Sequence, residues 1–313
     1  MGADAPEDQA DGIRGLRELI APDAELTLLA TGAVWSEGPV WIPQSRTVRW
    51  SDIPGNRILE YSTVDRSTAV YSAEVEFTNG RTLDRDGSVI QCSHGRRRIE
   101  RDDRGTVTGV VESYEGVRFN SPNDVVVASD GGIWFTDPPY GITVAREGHP
   151  GDREYGGCFV FRFDSATGEL RAVVTDMEEP NGLAFSPDER VLYISDTSAA
   201  SYEGGNHHIR AYDVVDGRCA NGRVFAVVEP GLSDGIRVDV DGNVWTSAAD
   251  GVHIYNEGGT WLGRIAVPEV VANLCFGGPG GQELFIAAST SLYGIRTLTQ
   301  DAARLIDGTR PAA

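Results

Sequence analysis

The stretch EPNGLAFSPDERVLYISDT, residues 179–197, decides the fold. Asn181 and a glycine open a short apolar run. SPDER then supplies a turn, and a second apolar run ends in Ser-Asp-Thr. Asn-Gly between strands is ordinarily a tight turn, because both residues tolerate positive φ. Here the turn is already made by SPDER, so Asn181 stands at the start of a strand and needs another role.

The pattern recurs. SEGPVWIPQSRTVRWSDI carries Glu37 in the polar position, and TNGRTLDRDGSVIQCSHG carries Asn79. SPNDVVVASDGGIWFTDP carries Asn123, LSDGIRVDVDGNVWTSAA carries Asp234, and VANLCFGGPGGQELFIAAS carries Asn273. The steps between successive key residues are 42, 44, 58, 53 and 39. Each unit continues into a third apolar stretch, such as RILEYS or HIRAYDV, and often a fourth, such as STAVYSA or GRVFAVV. The connections DRDG, SDGG and DVDG are good hairpin chemistry. Four short strands per unit of roughly 40–50 residues mark a propeller blade.

The expected fold is therefore all-β: a six-bladed β-propeller with four antiparallel strands per blade, over residues 23–300. ELTLLATG precedes the first unit and should form the outer strand of the sixth blade, closing the ring. Residues 1–22 read as a flexible polar tail and 301–313 as a C-terminal tail. Insertions at 139–157 (PYGITVAREGHPGDREYGG) and 198–208 (SAASYEGGNHH) should cover one face of the disc.

The 313 residues carry 27 basic and 47 acidic side chains, a formal charge of −20. That balance argues against nucleic acid or an anionic membrane as partner. No apolar run approaches the roughly 18 residues of a membrane span. The opening MGADAPEDQADG is polar and unlike a signal peptide, so a cytoplasmic location is expected. The four cysteines show no C-x-x-C spacing, which disfavours a zinc or redox motif. Cys92 and Cys275 read as buried thiols. G-x-S-x-G, P-loop, H-E-x-x-H and Rossmann patterns are all absent, so nucleophilic serine chemistry has no support. Closed propellers leave few sheet edges, which favours a monomer or weak homodimer.

In a propeller the first strand of each blade lines the central channel. Glu37, Asn79, Asn123, Asn181, Asp234 and Asn273 would thus form a ring there. Every member has an oxygen donor, and two are carboxylates. Hard cations such as Ca²⁺ take six to eight oxygen ligands. The competing reading makes these residues turn or bulge markers at the start of each blade. Glu is a poor turn residue, so Glu37 favours the ligand reading.

A second series lies 14 or 15 residues further on: Asp52, His94, Asp137 and Asp196. The three aspartates read as caps on the following turn. His94 reads as a substrate contact or proton carrier, or else as a packed, hydrogen-bonded histidine.

Together SEGPVW, NSPNDVVV, PNGLAFSPDERVLYISDT and SDGIRVDVDGNVW resemble the senescence-marker-protein (regucalcin)/gluconolactonase/luciferin-regenerating-enzyme-like family of six-bladed propellers. The resemblance covers about residues 30–295. It implies one divalent cation in the channel, Ca²⁺ foremost, with Zn²⁺, Mn²⁺, Mg²⁺ and Fe²⁺ also open. Carried over by motif, Glu37, Asn123, Asn181 and Asp234 would be its ligands. Arg118 is the family's candidate substrate arginine, and Asn123 would also hold substrate. The implied activity is a metal-dependent lactonase opening a small, sugar-derived, gluconolactone-like lactone with metal-activated water. Asp234 would take the proton.

Asn79 and His94, by their place in the two series, are further substrate candidates. So is Tyr140, in the long insertion, with Tyr155 as a possible second wall of the pocket. A small-molecule lactone is the only partner this reading requires. Two alternatives stay open: a broader esterase or phosphotriesterase of the same fold, and a non-catalytic calcium-binding propeller. Retention of the ligand set argues against a metal-free relative like strictosidine synthase.

Overall fold

A computed structural model describes residues 15–303. It is a six-bladed β-propeller, each blade a four-stranded antiparallel sheet. Blade 1 runs Ser36–Ile42, Thr47–Asp52, Arg57–Ser62 and Ser67–Ala73, each strand pairing with the next. The inner strands of blades 2 to 5 are Thr78–Leu83, Val125–Val127, Pro180–Phe185 and Ile236–Val238. Blade 6 is built on Val271–Gly277 and takes its outermost strand, Thr27–Thr31, from the other end of the sequence. Thr27 lies opposite Gly294 and Thr31 opposite Ser291. This pairing closes the ring as expected, and closure removes open edges.

Residues 15–22, read from sequence as part of the tail, are ordered against blade 6. Residues 15–19 are helical, Leu19 is buried in the cluster around Ile254 and Ile295, and its carbonyl accepts from Leu298 N at 2.8 Å. Asp301 forms a bridge with Asp239. The rest of the two proposed tails, 1–14 and 304–313, lies outside the described residues.

The repeat acquires a physical reason at the channel. In blades 1, 2, 4 and 6 the pairing of the inner strand shifts register at the key residue: between Glu37 and Val40, Thr78 and Arg81, Pro180 and Leu183, and Val271 and Asn273. Such a bulge re-aims a side chain that a regular strand would send elsewhere. The glycine that follows permits close approach to the next blade. A Cβ at Gly38, whose φ is +49°, would stand 2.4 Å from the Asn79 carbonyl oxygen. A Cβ at Gly182 would stand 2.1 Å from that of Asp234. Turn-like sequence and inward ring position are therefore the same feature.

Neighbouring blades are stitched together at this level. Gly80 N donates to Asn123 O at 2.8 Å and Gly182 N to Asp234 O at 2.9 Å. Ser51, Thr136 and Ser195 each donate a side-chain hydroxyl to the carbonyl of the next blade's ring residue, Asn79, Asn181 and Asp234, at 2.9, 2.7 and 2.8 Å. These are the Ser or Thr of the WSD, FTD and ISD motifs. Their aspartates do a different job from the one expected. Asp52 accepts from Val34 N, Asp137 from Asn120 N and Ser121 N, and Asp196 from Glu178 N. They brace the loop that leads into the inner strand of their own blade. Of the three, only Asp196 also accepts from a later backbone amide, Ser198 N, whereas Asp52 and Asp137 accept from the side chains of Arg57 and Tyr155.

The Thr136 hydroxyl also accepts from the backbone amide of Asp124 at 3.1 Å. Thr136→Val leaves a buried carbonyl and a buried amide without that partner. It should cost about 1–3 kcal/mol in urea unfolding. A loss below about 0.5 kcal/mol would show that the blades are held together without this bond.

Candidate metal centre in the channel

The six ring residues stand at or just before the start of the six inner strands, and Glu37 lies against Asn273 and beside Asp234. Glu37, Asn79, Asn123, Asn181 and Asn273 are buried, and Asp234 is partly accessible. Glu37 Oε2 accepts from Gly38 N at 2.6 Å and from Asn273 Nδ2 at 3.0 Å. Asn273 Oδ1 in turn accepts from Leu274 N at 2.8 Å. Asn273 is therefore fully used in bracing Glu37. The carboxamide of Asn123 makes no hydrogen bond among the described residues. Those of Asn79 and Asn181 are engaged only through nitrogen, with His94 at 3.3 Å and Thr197 at 3.1 Å. Asn79 Oδ1 is left buried without a partner.

Two carboxyls share this space. Burial pushes Glu37 up to about 7 against the opposing hydrogen bond from Asn273, and the nearby Asp124 adds to the rise. Burial also drives Asp234 well above the usual carboxylate range, reinforced by the charges of Glu37 and Asp124. Neither makes an ion pair with a basic side chain among the described residues. Amide oxygens without donors and two desolvated carboxyls are costly by themselves. Together they are the all-oxygen donor set of a hard divalent cation. Among the described residues no group of three or more His, Cys, Asp or Glu gathers as a metal site. The ring's remaining oxygens are carboxamides, so its chemistry is that of mixed carboxylate and amide ligation.

The other candidates fall into two groups. His94 and Tyr140 lie beside the ring. His94 Nδ1 faces the Glu147 carbonyl at 3.0 Å, and burial pulls its imidazole down to about 4. It is neutral at pH 7, Nδ1 donates to that carbonyl, and Nε2 accepts from Asn79. A proton carrier would need a free nitrogen, and neither is free. Tyr140, on the short helix Tyr140–Thr143, is buried with its hydroxyl 2.5 Å from Thr197 Oγ1.

Arg118 and Tyr155 are not among the ring's contacts. Arg118 is exposed at the end of the small hairpin Ser113–Tyr114/Val117–Arg118, with Nε 3.1 Å from Glu154. Tyr155 donates to Asp137 and packs in an aromatic cluster with Tyr114, Phe159 and Phe161.

Sequence reading missed Thr197, which accepts from the Asn181 amide, and Glu147 and Glu179, which meet His94 and Tyr140. Thr197 stands one residue beyond the second series and Glu179 two before Asn181, so both were within reach of the repeat. Glu147 lies in an insertion that has no counterpart in other blades, and no periodic signal marks it. The two insertions converge on Glu179 and on the end of the inner strand that carries Asn181. Tyr140 contacts Thr197, Arg153 lies 3.8 Å from Glu179, and Ser201 donates to Glu179 at 2.6 Å. A cavity of about 550 Å³ opens at the far ends of the inner strands, where Arg81, Arg237 and Phe276 line it. It contains none of the six ring residues and is a separate feature of the channel.

The raised carboxyls predict an inverted pH dependence. Glu37 ionises near 4.3 in an unfolded chain but near 7 here, so the fold opposes its ionisation. Cation-free stability should fall as pH rises through that window. Glu37→Gln removes the opposition. In chelator at pH 8 the variant should be more stable than the parent by about 1–3 kcal/mol. A variant less stable than its parent there would contradict the assignment.

Comparison with known proteins agrees with this architecture. Residues 35–290 match the model of the SMP-30/Gluconolactonase/LRE-like region. A gluconolactonase of Zymomonas mobilis is 34% identical over 88% of this chain and 82% of its own. The pentonolactonase XacC of Haloferax volcanii is 30% identical over 81% of each chain. The solved structure of a gluconolactonase from Xanthomonas campestris is 38% identical, covers 90% of this chain and 92% of its own, and superposes with a TM-score of 0.84. With the repeat, the propeller and the sequence match in agreement, this chain belongs to the SMP-30/gluconolactonase/LRE-like family.

Proposed function

We propose that this protein is a divalent-cation-dependent lactonase that opens a small, sugar-derived lactone. The observation that carries the reading is the ring itself. Glu37, Asn123, Asn181 and Asp234 stand in phase at the inner strands of four blades, without an ion pair to a basic side chain among the described residues, in a family whose gluconolactonase and pentonolactonase members align along most of this chain. A purely structural channel has no use for two desolvated carboxyls in phase with the amides. Calcium is the favoured ion, because every available donor is a hard oxygen.

When bound, such a cation supplies Lewis acidity that polarises the lactone carbonyl and makes water a stronger acid. Glu37, Asp234 and the amides of Asn123 and Asn181 would hold it. Asp234, the ring member with accessible surface, takes the proton from the water that attacks the carbonyl carbon. As the ring C–O bond breaks, Asp234 returns the proton to the leaving alkoxide. The products are a hydroxyl and a carboxylic acid, which ionises. Asn123, with no internal hydrogen bond, is free to bind hydroxyls of the sugar. The insertion 139–157 and the loop 198–208 wall the mouth and limit the water that reaches it.

The test is hydrolysis of glucono-1,5-lactone and pentono-1,4-lactones by metal-stripped protein, with Ca²⁺, Zn²⁺, Mn²⁺ or Mg²⁺ restored. Activity should depend on the added ion. Asp234→Asn should lower kcat by about 10²–10⁴-fold. Full activity in chelator, or an unaffected Asp234→Asn variant, would refute the mechanism. Cation binding without turnover of any lactone would favour a broader esterase or a non-catalytic calcium-binding propeller.

A further inference from the structure

The ring amides of Asn79 and Asn181 are held by two different chains of hydrogen bonds that end on the same insertion. Asn181 Nδ2 donates to Thr197 Oγ1 at 3.1 Å, and that hydroxyl meets Tyr140 OH at 2.5 Å. Burial keeps the Tyr140 phenol protonated, and it also interacts with the Glu179 carboxylate. On the other side, the Glu147 carbonyl accepts from His94 Nδ1 at 3.0 Å. With that proton fixed on Nδ1, Nε2 of the neutral imidazole has only a lone pair. It can face only the NH₂ of Asn79, 3.3 Å away. Tyr140 and Glu147 both belong to 139–157.

A carboxamide is nearly symmetric in shape but not in charge. Turned over, Asn79 or Asn181 would offer two N–H groups to a cation in place of an oxygen. The partner of the NH₂ therefore decides whether the residue is a ligand at all. The insertion is packed closely enough to hold these partners. A Cβ at Gly141 would stand 2.6 Å from His94 Cβ, and one at Gly148 would stand 2.0 Å from the Gly141 carbonyl oxygen.

We propose that the insertion 139–157 is a clamp that sets the sense of two ring amides, through Tyr140 and Thr197 on Asn181 and through the Glu147 carbonyl and His94 on Asn79. Tyr140, Thr197 and His94 are then positioning residues, and the insertion completes the cation site from outside the ring. The inference rests on the cation-site reading of the proposed function and adds to its ligands Asn79 Oδ1, which is buried without a partner.

Calorimetric titration of Ca²⁺ and Mn²⁺ into the metal-stripped full chain tests it. Thr197→Val keeps the shape and removes the acceptor, whereas Thr197→Ser keeps the hydroxyl. Thr197→Val should weaken cation binding by about 10–100-fold. Thr197→Ser should bind like the parent, and the affinities are compared at a temperature where every cation-free variant is fully folded, since removing the buried hydroxyl also lowers stability. His94→Leu should weaken binding in the same direction through Asn79. Should Thr197→Val fail to fold, Tyr140→Phe takes its place, with an expected loss of about tenfold. Parent-like affinity in folded Thr197→Val and His94→Leu overturns the clamp and leaves the cation site standing. No cation binding by the parent overturns both.

Discussion

Two carboxyls that cannot both ionise cheaply sit at the centre of this molecule. Glu37 and Asp234 come from blades 1 and 5, far apart in sequence, and meet in a channel where burial opposes the charge of each. No core-packing requirement asks for them. Replacing such groups with apolar ones is often neutral or stabilising. Their presence is therefore a cost to the fold, of the kind concentrated at functional sites. The rest of the channel is arranged around that cost. Asn273 braces Glu37, and the amides of Asn79 and Asn181 are turned by outside partners.

The propeller makes this arrangement possible by bringing six inner strands to one axis. Strands that converge so closely need a residue without a side chain where they touch. They also need a bulge to turn the preceding side chain inward. Glycine after Glu37, Asn79, Asn181 and Asp234 meets the first need, and the register shifts at Glu37, Asn79 and Asn181 meet the second. Hydroxyls from Ser51, Thr136 and Ser195 then tie each of these blades to the next. The same backbone that closes the disc fixes the ring at its mouth. This explains why one motif carries both fold and site.

That coupling is also why so much could be read from sequence. Alternating apolar runs with hairpin turns at a steady period specify blades, and a polar residue in phase across six blades must share one position on the axis. The closing strand followed because ELTLLATG had no unit of its own. What could not be read lies where periodicity stops. Tyr140 and Glu147 sit in an insertion that no other blade matches, so their contacts with Thr197 and His94 leave no repeating trace. Arg118 precedes Asn123 by only five residues, but Glu154 holds its guanidinium at the surface. Asp52, Asp137 and Asp196 look like turn caps locally. Their partners lie 16 to 18 residues earlier, across a strand pair that local spacing does not reveal. Sequence phase locates side chains that point along the axis; it is silent on which partner turns an amide or captures a guanidinium.

The most direct test of the central claim is the proton balance of cation binding. Calcium would be titrated calorimetrically into metal-stripped protein near pH 6.5, in buffers of differing ionisation enthalpy. The coupled carboxyls should hold a proton before binding and lose it on binding. The account predicts one cation per chain with release of about one proton. Absence of binding, or binding with no proton released, would contradict a site built on Glu37 and Asp234.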